Sequence, residues 1–164
     1  MGCGVPIITL LQKPRKNRNF KDMETLKLEQ IKLYPFGLKC RAKSSNKIFT
    51  INGMFSSKKP DYYGIQVEEQ LAFLDIKDIA LILHPLSDLT KPIQHNGEEF
   101  VPEYKMWEAS ENKDFIIKLA PSGAVHNETP YWAFQKLIEW KFNVFNLPPH
   151  LWIDVNTLEE NPYK

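Results

Sequence analysis

Asp78-Ile79-Ala80-Leu81-Ile82-Leu83-His84 places a continuous apolar run between an aspartate and the stop imposed by Pro85. A short run with no polar alternation, bounded by a charge and a proline, reads as a strand buried on both faces at the centre of a sheet. The neighbouring segments supply partners for it. Upstream, Gly37 to Lys43 and Lys47 to Asn52 are β-prone and separated by Ser44-Ser45-Asn46, the pattern of a hairpin with a short polar loop. Downstream, Asn96-Gly97 interrupts the segment Ile93 to Val101, and this dipeptide favours the positive φ angles of a type I′ turn, so a second hairpin is expected.

Other segments are less decided. Leu26, Leu28, Ile31 and Leu33 fit a short helix ending before Pro35 or a strand, and Val67, Leu71 and Leu74 fit one helix face with a strand as the alternative. Gly53, Ser56, Ser57, Pro60 and Gly64 mark a long loop from Asn52 to Gly64. Phe115 to Leu119 is a further strand candidate before a loop from Ala120 to Glu128. Thr129-Pro130 then opens the best helix of the chain, with Thr129 as N-cap and Pro130 at the first helical position, running to about Phe142. Gln135, Lys136 and Glu139 share its polar face, and the apolar remainder suits either the core or an oligomer interface. The apolar segment from Val144 to Ile153 is expected to pack back onto the domain, and Asn161-Pro162-Tyr163-Lys164 to form a short exposed terminus.

The fold class that follows is α+β: a small antiparallel sheet built from hairpins, packed by a C-terminal amphipathic helix, with an SH3-like or partly open barrel among the arrangements open to it. A chain of 164 residues has room for a full core without disulfide or metal. Residues 1–22 lack periodicity and read as a disordered basic N-terminal extension, solvated or acting as a nucleic-acid-binding arm. Residues 23–164 read as a single domain, and Met23 is an alternative start.

The net charge of +1 hides an asymmetry, because Lys13, Arg15, Lys16, Arg18 and Lys21 crowd one segment. From Met23 onward Arg41 is the only arginine, which argues against a dedicated nucleic-acid reader outside the tail. Val5 to Leu11 lacks the flanks of a signal peptide, Pro6 spoils a myristoylation motif at Met1-Gly2-Cys3, and no stretch approaches a membrane span. Cys3 and Cys40, in dissimilar contexts, are not expected to pair, and a reducing cytoplasm is inferred.

Chemistry-bearing patterns are sparse. His84, His95, His126 and His150 are not spaced as metal ligands, no cofactor motif is present, and no catalytic residue is nominated. His84 reads as a packed histidine and His95 as a hairpin residue, while Cys40 reads as inert core. Two places pair residue types that a ligand would use. Lys58, Lys59, Tyr62 and Tyr63 set positive charge beside aromatic faces in the long loop, and His126 lies in a Gly-containing loop that feeds a helix N-terminus. The plainer reading of each is loop anchoring and helix capping.

Tyr34-Pro35-Phe36-Gly37-Leu38-Lys39, Leu83-His84-Pro85-Leu86-Ser87-Asp88-Leu89-Thr90-Lys91, Asn96-Gly97-Glu98-Glu99-Phe100-Val101-Pro102, Lys136 through Phe145, and Ile153-Asp154-Val155-Asn156-Thr157-Leu158 resemble a family of small uncharacterised proteins of Bacteroidota bacteriophages and prophages. The resemblance spans most of residues 26–158 and departs at Pro148-Pro149, where a Gly-containing turn is expected. It carries no catalytic residues. It implies a phage accessory protein in a bacterial host cytoplasm: a non-catalytic binder or inhibitor of a host factor, acting on a host protein or sequestering a small nucleotide-like signal as an anti-defence protein. A nucleic-acid accessory factor using the tail, and a small enzyme around His126 and Glu128, are the alternatives.

Overall fold

Every residue of Ile79–Leu83 (β5) is buried, and the strand pairs on both sides, as its unbroken apolar run requires. The computed structural model describes residues 26–34, 37–56, 63–67, 70–110 and 123–164. Antiparallel to β5 runs Lys39–Ala42 (β1), which forms the expected hairpin with Ile48–Ser56 (β2). Asn46 closes that turn with a φ of 56°, a left-handed value that asparagine tolerates better than most residues.

The second strand outruns its expected end at Asn52. A register shift between Ile51 and Gly53 leaves Asn52 as the extra residue of a bulge, and pairing resumes at Gly53 and continues to Ser56 against Tyr63–Val67 (β3). Val67, Leu71 and Leu74 do not share a helix face. They belong to β3 and to Gln70–Asp75 (β4), which pair antiparallel, so strand pairing overrides a weak helical periodicity. Leu28–Lys32 (α1) is a single helical turn, which settles the ambiguity of that segment.

Trp152–Asp154 (β8) adds to the other side of β5 in parallel, giving the six-stranded order β4-β3-β2-β1-β5-β8. The sheet is therefore open and mostly antiparallel, and the SH3-like or partly open barrel is not formed. The returning C-terminal segment extends the sheet beyond β5 instead of letting it curl closed.

Ile93–His95 (β6) and Glu98–Phe100 (β7) form a separate two-stranded sheet around the expected turn, with φ of 52° at Asn96 and 80° at Gly97. Val101 then leads into Pro102–Ala109 (α2), begun by a proline whose missing N–H costs nothing at a first helical position. The long C-terminal helix is Tyr131–Glu139 (α3), shorter than expected at both ends. Its N-cap is Pro130, whose carbonyl accepts from the Ala133 and Phe134 amides, and Thr129 makes no side-chain cap. At the other end the Phe142 amide donates to Leu137 and the Lys141 amide to Ile138, with Lys141 at φ 62°. This is a Schellman closure with lysine where glycine is usual. The apolar excess assigned to the helix surface thus falls partly on Trp140 and Phe142, which leave the helix and are buried in the closing turn.

Leu81 and Leu83 face the main core with Leu137, Phe142 and Met106, whereas Ile82 on the opposite face packs with Val155 and Tyr163. Tyr163 corrects the expectation of an exposed terminus: only 5% of it is accessible. The expected strand at Phe115 to Leu119 and the basic extension at 1–22 lie outside the described residues. No helix among the described residues is long and apolar enough to cross a membrane.

Candidate ligand-binding cleft

The β6–β7 hairpin, α2 and α3 enclose a cleft of about 370 Å³. Alternation along β6 turns Ile93 and His95 inward and Gln94 outward, which puts His95 on the cleft wall while leaving only 7% of it accessible. Phe100 comes from β7, Lys105 and Met106 from α2, and Trp132, Lys136 and Glu139 from one side of α3. Trp140 completes the aromatic lining, its ring centroid 4.9 Å from that of Phe100 at an interplanar angle of 57°.

Charges around the cleft come in opposed pairs. Lys105 Nζ meets Glu98 at 2.5 Å and lies 4.1 Å over the Phe100 ring, and Lys136 meets Glu139 at 2.8 Å. His95 Nδ1 is buried without a hydrogen-bond partner. Burial lowers the pKa of His95, and the nearby Lys141 ammonium adds to the effect, so the ring is neutral at physiological pH. Lys141, itself buried, is lowered to about 8 by the same desolvation.

Behind this wall the C-terminal segment is strapped onto the hairpin. The Asn96 amide donates to the Tyr163 carbonyl at 2.7 Å, and the Asn161 side-chain amide donates to the Gln94 carbonyl at 3.0 Å. The Tyr163 ring lies between two imidazoles, 5.9 Å from His95 and 6.2 Å from His84. Its hydroxyl donates to the Ile82 carbonyl at 2.6 Å and accepts the Lys39 amide at 3.0 Å. β1–β5 pairing runs only as far as Cys40 opposite Leu81, and the phenol bridges the position just past that end.

His84 is as buried as any core leucine, and neither ring nitrogen has a partner. Desolvation holds its pKa at about 4, against the opposing pull of Asp88 and Asp154. The reading of His84 as a packed histidine agrees with this placement, and Cys40 is likewise wholly buried, its thiol pushed up to about 12.

Lys58, Lys59 and Tyr62 fall outside the described residues, and Tyr63 is the first residue of β3. His126 lines a different, shallower hollow of about 550 Å³ with Val125, Tyr131, Phe134 and Phe145. Its Nδ1 accepts the Glu128 amide at 3.1 Å, so the imidazole closes its own loop. Sequence reading assigned His95 only a hairpin role and did not group Phe100, Lys105 and Trp132 with it. The available signal was the inward phase of β6 together with Pro102 and Met106, four residues apart, announcing α2.

Together these features define a mixed α+β domain with a charge-balanced cleft of aromatic and polar residues mounted on a strapped hairpin. No protein-family model, no curated protein and no solved structure matches the chain.

Proposed function

We propose that the protein is a non-catalytic binder whose ligand sits in the cleft between the β6–β7 hairpin and helices α2 and α3. The observation that carries this reading is the cleft itself, a hollow of about 370 Å³ that sets Phe100, Trp132 and Trp140 beside His95 and paired charges. Clefts of this size that combine aromatic side chains with placed polar groups are the usual form of a small-molecule site. Binding rather than turnover is favoured because each lysine and glutamate named on the cleft is held by an opposite charge, leaving His95, neutral and low in pKa, a poor general base. Among the described residues no group of three or more His, Cys, Asp or Glu is placed to hold a metal ion.

The resemblance to phage proteins supports the wider role. The protein acts in a bacterial host cytoplasm as an accessory factor that antagonises a host component by sequestering such a ligand. Native mass spectrometry of protein isolated from bacterial cytoplasm tests the reading. A small molecule should be released on denaturation, and Trp132→Ala should lose it while retaining the far-UV circular dichroism of the parent. A folded parent protein that carries nothing and takes up nothing from a metabolite extract overturns it.

A further inference from the structure

Resting on the cleft as the ligand site, we infer the class of ligand: a neutral planar heteroaromatic ring with donor and acceptor groups on its edge, as in a purine or pyrimidine nucleoside, in preference to the same ring bearing a phosphate. Three observations converge on it.

Size is the first. A volume of about 370 Å³ lies near the small end of ligand pockets, which run from about 300 to 1,000 Å³, so one ring system with a modest substituent fills it. Shape and surface come second. Trp132 is only partly buried on the wall, and Phe100, with the Lys105 ammonium over its ring, packs beside Trp140, so the wall is aromatic in character. Stacking of a base on an aromatic side chain contributes about 1–3 kcal/mol regardless of base identity. His95 and Asn96 also line the cleft and add hydrogen-bonding groups to its aromatic wall, which suits a ring edge that carries donors and acceptors.

Charge is the third observation, and it separates nucleoside from nucleotide. A phosphate site gathers cations without compensating anions. Here Lys105 stands against Glu98 and Lys136 against Glu139, two cations against two anions, and both carboxylates remain more than half exposed on their side chains. A phosphate drawn to either lysine would stand beside a carboxylate. Lys141 is not part of the lining.

The test titrates the full chain with adenosine, guanosine, cytidine and uridine and with their 5′-monophosphates, followed by tryptophan fluorescence and calorimetry. At least one nucleoside should bind and quench the emission, and its monophosphate should bind at least ten-fold more weakly. The double change Glu98→Gln and Glu139→Gln, which removes both anions, should narrow that gap. A monophosphate that binds as tightly as its nucleoside overturns the inference and leaves the cleft as a binding site. Eight compounds that fail to bind, beside a different molecule released from cell-derived protein, do the same. Failure of every compound with no released molecule overturns both.

Discussion

Replacing Tyr163 by phenylalanine keeps the ring between His84 and His95 and removes one oxygen, so it isolates the bridging hydroxyl. That oxygen makes two hydrogen bonds, to the carbonyl of the wholly buried Ile82 and from the amide of the half-buried Lys39. Leaving a buried polar group unpaired costs about 1–3 kcal/mol. The Ile82 carbonyl should bear the full cost and the Lys39 amide less, because water reaches that residue. The sum is about 2–4 kcal/mol. With a urea m-value of about 2 kcal/mol/M, a loss of 3 kcal/mol moves the unfolding midpoint down by about 1.5 M. Tyr34→Phe is the internal scale, since the Tyr34 hydroxyl donates to the Phe142 carbonyl at 2.7 Å and the Val144 amide also interacts with it, without the tie between two strands. It should lose less. Equilibrium urea unfolding of both variants at neutral pH is the assay. A Tyr163→Phe midpoint within about 0.3 M of the parent at equal m, or a larger loss for Tyr34→Phe, would refute the claim that this hydroxyl completes the β1–β5 junction.

Three further outcomes are expected. His84 has its pKa lowered from 6.5 to about 4 by burial, so as pH falls through 6.5 the unfolded chain binds a proton that the folded chain refuses; stability declines, and the decline ends below pH 4. Between pH 7.5 and 5 this amounts to about 2 kcal/mol, and His84→Leu should flatten the measured pH dependence by that amount, whereas unchanged slopes would remove His84 as its source. Lys141→Gly relieves a left-handed lysine and a buried ammonium, so thermal unfolding at pH 7 should show a gain of at least about 1 kcal/mol; a loss would mean that the side chain's own contacts outweigh both effects. Gly97→Ala meets no neighbouring atom within 4 Å, so its cost of about 1 kcal/mol is purely backbone, and it should weaken ligand binding through the His95 wall; equal affinity would show that the turn does not position that wall.

What the chain reveals before folding depends on the range of the interaction concerned. The buried β5 run, the two hairpins and the asparagine-led turns were legible, because local apolar content and local φ preference decide them. The boundaries of α3 were not: the Schellman closure places a lysine at φ 62°, against its own preference, so no residue type announces the stop. The helix reading of Val67 to Leu74 failed because apolar residues drawn from two short antiparallel strands can mimic a 3.6-residue spacing. The parallel placement of β8 was invisible as well, since it depends on where α3 delivers the chain. The cleft was illegible for the same reason. His95, Lys105 and Trp132 stand on three elements and meet only through tertiary packing, so attention fell instead on clusters that are adjacent in sequence, such as Lys58 to Tyr63 and His126 to Glu128.

The cleft wall raises a problem of rigidity that the C-terminal residues answer. A two-stranded hairpin is marginal by itself, and β6–β7 forms its own sheet apart from the six-stranded one. Two contacts fix it: the Asn96 amide donates to the Tyr163 carbonyl and the Asn161 side chain to the Gln94 carbonyl, while the Glu103 amide, at the start of α2, donates to Leu89 ahead of the hairpin. Both hairpin contacts come from the last four residues of the chain. Tyr163 then ties the same strap to β1 and β5 through its hydroxyl, so the position of His95 depends on a segment more than sixty residues away in sequence. Removing residues 161–164 should therefore reduce ligand affinity by loosening the wall even though no residue of the strap lines the cleft. Tyr163→Phe, which cuts the tie to the sheet but keeps the ring and both backbone contacts to the hairpin, should have a much smaller effect on affinity than on stability.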